Sequence, residues 1–239
     1  MPPIVKSFTN PAGRAERRAT TLRMTQKPST TSPRGRISDS TVRRLSLYLR
    51  LLQEAHARGA QTISSEELAE RGGTTSAQVR KDLSVFGSFG KRGLGYAVPE
   101  LLQQLRAILG LHRSWRVALI GAGKIGAALF SYRDFQRRGF EICAVFDSDP
   151  AKVGQRWGER RVRPSAELEP VLREEAVEIA IVAVPAEAAQ AIVERVVQAG
   201  VRAVLNFAPV RLRVPPHVTL RNVDMTLELE GLAFALVNR

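Results

Sequence analysis

Three glycines and an aspartate are the residues of this 239-residue chain whose types and spacing most readily imply chemistry. "GAGKIG" places Gly121, Gly123 and Gly126 at the first, third and sixth positions of a turn, and Asp147 follows 21 residues after Gly126. Such a set suits a dinucleotide. Gly121 permits a tight turn, Gly123 lets backbone approach a pyrophosphate, and Gly126 lets a helix pack closely on a strand. Asp147 stands where an acid hydrogen-bonds the adenosine ribose hydroxyls. A carboxylate there repels a 2′-phosphate, so NAD(H) is expected over NADP(H), although Lys124 and Arg133 soften that argument. A helix cap ahead of "SDPAK" is the plainer use for the same aspartate.

The elements that must position these groups are legible around them. "RVALI" reads as a short apolar strand, "AALFSYRDFQRRG" as a helix and "FEICAVFD" as a second strand ending in Asp147. Ala122, Lys124 and Ile125 complete the turn, whose following helix offers unpaired N–H groups and a positive dipole end to phosphates. Strand and helix then alternate through "AELEPVLREE", "VEIAIVAVP", "AEAAQAIVERVVQAG" and "VRAVLNFAP", the grammar of a parallel sheet. Ligands lie at strand C-termini in such sheets, so Val184, Pro185, Asn206 and Phe207 are expected to line the crevice. In the closing "VDMTLELEGLAFALVNR", Met225, Leu229, Leu232, Ala233 and Leu236 fall at helical spacing. They predict a narrow apolar face that packs on its own domain or on a partner subunit.

A different module precedes the sheet. Val42, Leu45, Leu49 and Leu52 mark a first helix that Gly59 stops. Ser64 and Glu67 have capping-box spacing for a second helix ended by Gly72-Gly73, and a third follows in "TTSAQVRKDLSVFG". Two short helices joined at a glycine turn form the helix-turn-helix pattern. Val79, Leu83 and Phe86 make the buried stripe of the third helix. Ala77, Gln78, Lys81 and Ser84 lie broadly opposite, with Arg80 on a flank, a set suited to phosphates and base edges. An ordinary solvated face explains the same residues less pointedly. "GSFGKRGLGY" then brings four glycines with Lys91, Arg92 and Gly93 at its centre. A cationic hairpin following a third helix is a wing. "VPELLQQLRAILGLH" supplies a linking helix with Pro99 in its first turn.

Bulk properties bound the function. The formal charge is +13, and residues 1–36 hold +7 of it among Thr, Ser, Pro and Arg with no apolar periodicity. They read as a disordered basic tail. No run approaches a membrane span, the start lacks a signal core, and the lone Cys143 forms no internal disulfide, so a soluble cytoplasmic protein is expected. No Cys/His cluster has metal-ligand spacing. Catalytic groups are lacking too. His56, His112 and His217 fall outside the strand ends of the nucleotide half, and Tyr132 and Lys124 are eight apart. The chain reads its nucleotide without equipment to react it, and no metal or catalytic residue is expected. A dehydrogenase with an appended nucleic-acid domain is the alternative, and an inert nucleotide fold a third reading.

The order of "SSEELAE", "QVRKDLSVFGSFGKRGLGY", "GAGKIGAAL", "FDSDPAKVG", "VPAEAAQ", "LNFAP" and "NVD" resembles the redox-sensing transcriptional repressors called Rex, over residues 37 to 238. The resemblance implies an α/β chain: a basic tail at 1–36, a winged helix-turn-helix with linker helix at 37–112, a Rossmann NAD(H)-binding domain at 113–222, and a domain-swapped dimerisation helix at 223–239. It implies a homodimer on palindromic double-stranded operator DNA that lets go when NADH, bound more tightly than NAD+, replaces it. Gln78, Arg80, Lys81, Lys91, Arg92 and Gly93 are the implied DNA contacts. Tyr132 matches a tyrosine near the nicotinamide. Asp224 matches an acid that engages that tyrosine and, alternately, an arginine of the first helix, here Arg50. Two positions depart from the family. Met225 stands where an aromatic residue or leucine is usual, and "SYRDF" is more basic than its counterparts.

Overall fold

The computed structural model describes residues 37–90 and 93–238. The expected basic tail, Lys91 and Arg92 lie outside the described residues.

Ser38 caps α1 (Asp39–Ala57), its hydroxyl accepting from the Thr41 amide. Leu45, Leu49 and Leu52 are buried on one face with Tyr48 and Ala55, whereas Val42 is exposed near the helix start. β1 (Thr62–Ile63) leads to α2 (Ser65–Arg71), where the Ser64 hydroxyl accepts from the Glu67 amide as the capping spacing predicts. Thr75 caps α3 (Ser76–Ser84), its hydroxyl accepting from the Gln78 amide. Among the described residues of the predicted glycine-rich hairpin, the pairing runs to an earlier strand. The end of the hairpin, β2 (Tyr96–Ala97), pairs antiparallel with β1, joining Ile63 to Tyr96. Gly95 permits this approach, since at φ +74° an added Cβ would lie 2.4 Å from the Ile63 carbonyl oxygen. α4 (Val98–Ile108) follows, and Leu101 and Leu105 join the core formed by Leu45, Leu68, Val79 and Leu83.

From β3 (Trp115–Ile120) onward the chain builds a seven-stranded sheet: α5 (Lys124–Phe130), α6 (Arg133–Arg137), β4 (Phe140–Asp147), β5 (Arg156–Trp157), β6 (Arg160–Pro164), a 3-10 turn, α7 (Leu168–Glu174), β7 (Ile179–Val182), α8 (Ala186–Gln198), β8 (Ala203–Asn206), β9 (Thr219–Asn222) and α9 (Met225–Val237). Its order is β5-β6-β4-β3-β7-β8-β9, and every pairing but β5–β6 is parallel. The β5–β6 hairpin was not predicted. The helix expected through "AALFSYRDFQRRG" breaks into α5 and α6, with Tyr132 capping the second. Strand order reverses at β3, because β4 lies on one side of it and β7 on the other. That reversal is the crevice position for a ligand in an open α/β sheet.

The two faces of the sheet are covered unequally. Ala118, Ile120, Phe146 and Val182 pack on one face with Leu168 and Leu172 of α7 and Val193 and Val196 of α8. On the other, Val117, Leu119, Val145 and Ile181 meet Leu129, Phe130 and Phe135 from α5 and α6. β8 reaches β9 through residues 207–218 with no helix. The second face therefore keeps an apolar hollow of about 230 Å³ lined by Val117, Phe135, Phe140, Ile179, Ile181 and Leu205. α9 does not have the narrow apolar face that its spacing predicted. Leu227, Phe234 and Val237 extend the apolar surface around the helix, and every residue in it is exposed. A helix apolar all round belongs in an interior. None of the described residues supplies one.

Candidate nucleotide site and nucleic-acid interface

The three turn glycines prove to have different causes. A Cβ on Gly121, at φ +107°, would stand 2.3 Å from the Ala183 carbonyl oxygen, and one on Gly126 would stand 2.0 Å from the Gly121 oxygen. Both residues are glycine because the turn is wedged between β7 and its own helix. Gly123 is otherwise: at φ −84° any residue is allowed, and an added Cβ meets nothing within 4 Å. Neither strain nor packing within the chain calls for glycine there. Space kept clear for a ligand does, so the turn fits a pyrophosphate. Gly121 and Ala122 are buried in the turn, whereas Lys124 and Ile125 are exposed at the start of α5.

Asp147 ends β4 at the same crevice and is buried. Its Oδ2 accepts the Ala122 amide at 2.7 Å and its Oδ1 the Asp149 amide at 2.8 Å, so it straps the turn to β4 and also caps "SDPAK". Lys152 Nζ lies 3.3 Å from Oδ2 and 3.5 Å from Asp149 Oδ2. Burial pushes the Asp147 carboxyl up, but the two amides and then Lys152 outweigh it and hold the group below its ordinary value. Sequence reasoning missed Lys152 and weighed Lys124 and Arg133 instead. Neither of those forms an ion pair with Asp147. The signal for Lys152 was its place three residues after Asp149, within one turn.

The remaining predicted crevice residues divide. Val184 and exposed Pro185 sit at the end of β7 leading into α8, and Phe207 packs beside Ala183 and Leu205. Asn206 is wholly buried. Its amide donates to the Ala208 and Val210 carbonyls and to Asn222 Oδ1, and its oxygen accepts the Ala208 amide. Its side chain holds the loop and, being wholly buried, does not reach the crevice surface, which corrects the expectation that it lines the crevice. Tyr132 is 54% exposed, with its ring edge-on to Phe135 at 5.1 Å. Asp224 caps α9 by accepting the Thr226 amide, and Arg50 is exposed on α1. Within one chain, Arg50 and Asp224 do not form the expected ion pair. An ion pair between Arg221 and Asp39 links α1 to the sheet.

On the N-terminal module, Lys81 is exposed on α3, and Gly93 is exposed at φ +81° with open space around it. Arg80 is half engaged: Nη1 donates to Ser65 Oγ at 2.8 Å and Glu66 Oε1 at 3.1 Å. Gln78 is turned inward, its amide donating to Asp82 Oδ1 at 2.7 Å. Asp82, 2% exposed, also accepts from Arg44 Nε at 2.6 Å, Arg44 Nη2 at 2.7 Å and the Tyr48 hydroxyl at 3.1 Å. Burial pushes the Tyr48 hydroxyl up to about 12. This cluster, which clamps α3 to α1, was also missed. Its signal was an acid at position 82, in phase with the apolar stripe at Val79, Leu83 and Phe86.

Comparison with known proteins joins the two halves. Residues 36–84 match the family described as "Putative DNA-binding protein N-terminus", and residues 112–210 match "CoA binding domain". A redox-sensing transcriptional repressor Rex of Carboxydothermus hydrogenoformans is 50% identical over 83% of this chain and 96% of the relative. One from Chloroflexus aurantiacus is 46% identical over 83% and 93%. The crystal structure of RSP with β-NAD+ and operator DNA superposes with a TM-score of 0.82 at 36% identity, covering 84% of this chain and 93% of that one. RSP with β-NADH gives 0.78 at 35% identity, covering 84% and 95%. With a glycine turn cleared for a pyrophosphate and a helix-turn-helix on one polypeptide, at this identity over nearly whole relatives, the chain belongs to the Rex family of redox-sensing transcriptional repressors.

Proposed function

We propose that this chain is an operator-binding repressor that reads the NADH/NAD+ ratio, with the nucleotide as effector and never as reagent. The open space at Gly123, in a crevice closed by Asp147, is the observation that carries the reading. Gly121, Ala122, Gly123, Lys124, Ile125 and Gly126 hold the pyrophosphate, Asp147 the adenosine ribose, and Val184, Pro185 and Phe207 border the nicotinamide end. An oxidised nicotinamide is cationic and a reduced one neutral, so the apolar border at Val184 and Phe207 favours NADH. The domains divide at 37–112, 113–222 and 223–239, and the protein works in the cytoplasm.

The working unit is a homodimer in which α9 of each subunit covers the hollow on the other's sheet. Two facts support this: α9 is apolar on all sides, and the sheet face over Ile179, Ile181 and Leu205 lacks a helix. Tyr132, exposed beside the phosphate turn, and Arg50, exposed on α1, compete for Asp224 of the partner copy. NADH binding selects the arrangement that pairs Tyr132 with Asp224 and turns the two α3 helices out of register with successive major grooves. Lys81, Arg80, Lys91, Arg92 and Gly93 meet the DNA.

The test is fluorescence anisotropy of a labelled palindromic operator titrated with NADH at several fixed NAD+ levels. NADH is expected to dissolve the complex, with NAD+ competing. If NADH leaves the complex intact, the sensor reading falls. Sustained NADH turnover with a small carbonyl substrate would establish the oxidoreductase in its place.

A further inference from the structure

An ionised carboxylate offers about four acceptor positions, and Asp147 has committed three, to Ala122, Asp149 and Lys152. One acceptor position remains for a ribose that presents two hydroxyls. Lys152 Nζ stands 3.3 Å from Oδ2, the oxygen that also takes the Ala122 amide of the phosphate turn. Its ammonium has three donors, of which Asp147 and Asp149 occupy two. A hydroxyl both donates and accepts, so one ribose hydroxyl donates to Asp147 while its neighbour accepts from Lys152.

We propose that Lys152 is the second half of the adenosine ribose subsite and the residue that takes up a 2′-phosphate once Asp147 is neutralised. This deepens the nucleotide reading of the same site and rests on it. Two carboxylates and one ammonium leave the cluster net negative, so a phosphate is repelled while Asp147 is charged. Neutralising Asp147 releases Lys152 from its stronger partner and turns it into a phosphate ligand. Lys124 and Arg133 do not pair with the carboxylate and leave discrimination unchanged.

The experiment is calorimetric titration of the full chain with NADH and with NADPH, in wild type, Lys152→Met, Asp147→Asn and the double variant. Wild type is expected to bind NADH at least tenfold more tightly than NADPH. Lys152→Met weakens NADH about tenfold, the worth of one charge-assisted hydrogen bond, without moving the melting temperature of the unliganded protein. Asp147→Asn tightens NADPH at least tenfold, and the double variant loses that gain. Unchanged NADH affinity in Lys152→Met overturns the assignment, as does a double variant that binds NADPH as tightly as Asp147→Asn. Lys152→Met keeps both amide hydrogen bonds of Asp147, so it carries the test even where Asp147→Asn does not fold. Wild type that binds neither nucleotide overturns the nucleotide reading itself, and the role of Lys152 with it.

Discussion

The reading half and the sensing half of this chain treat their polar and apolar groups in opposite ways. In the first, Asp82 is surrounded by Arg44, Tyr48 and Gln78, and Arg80 already holds Ser65 and Glu66. Its helices enclose their own apolar core. In the second, Gly123 faces open space, one sheet face has a hollow, and α9 shows its apolar side chains to solvent. A module that must present one rigid surface to DNA is complete by itself. A module that must respond to a ligand leaves places for the ligand and for a second copy to fill.

The comparison can be broken most forcefully at α9. Replacing Leu232 and Phe234 with Asp puts charge into the proposed subunit interface and is expected to halve the mass seen by sedimentation equilibrium. Operator affinity should fall by more than about a hundredfold, because two half-sites no longer act together. A dimer that persists refutes the exchange of α9. Next in size, Gly123→Val fills the cleared space and should weaken NADH by about a hundredfold while leaving thermal stability near wild type. If stability falls instead, Gly123 serves the fold as Gly126 does.

Asp82→Ala tests the self-sufficiency of the reading half. It strands Arg44 and the Tyr48 hydroxyl and should cost about 3 kcal/mol in denaturant unfolding, with NADH affinity unaffected. Lys81→Ala is milder: roughly tenfold weaker operator binding and a salt slope lower by about one, again with NADH binding intact. A drop in NADH affinity in either variant would mean that the halves are less separate than they look.

The smallest effect is the pH dependence of the clamp. Burial raises the Asp82 carboxyl, but hydrogen bonds from Arg44, Gln78 and Tyr48 outweigh it and hold the group below the ordinary 3.8. Its contribution is therefore full above that value and lost as pH falls through the lower folded one. Tyr48 acts at the other end. It is pushed up from 10.0 to about 12, chiefly by burial, so stability is present below pH 10 and declines as pH rises toward 12. Melting temperatures across both limits check the two signs, and Tyr48→Phe should flatten the alkaline limb alone.

Much of this was legible beforehand where the cause is local. Capping at Ser64 and the close fit of Gly126 on the Gly121 carbonyl depend on neighbours a few residues away, and both appear as predicted. Asn206 was misjudged because strand position says where backbone ends and not that the side chain is buried in the following loop. Gln78 was assigned to DNA from helix phase and from the family resemblance, and neither registers that it lies four residues before Asp82, the acid to which it is bonded. The single helix expected through Ser131 and Tyr132 broke because propensity does not register the edge where Tyr132 turns the chain.

The sequence by itself determined the kinds of element, their order, and the presence of a phosphate turn ending in an acid, since backbone conformation and apolar period are short-range properties. Only tertiary structure decided that β2 returns to β1, that Lys152 stands at the Asp147 carboxylate, and that Asp82 is the pin beneath the recognition helix. Those facts rest on groups 33 to 38 residues apart, or on two sides of a turn, brought together. No periodicity encodes such a meeting; it appears when the chain closes its core.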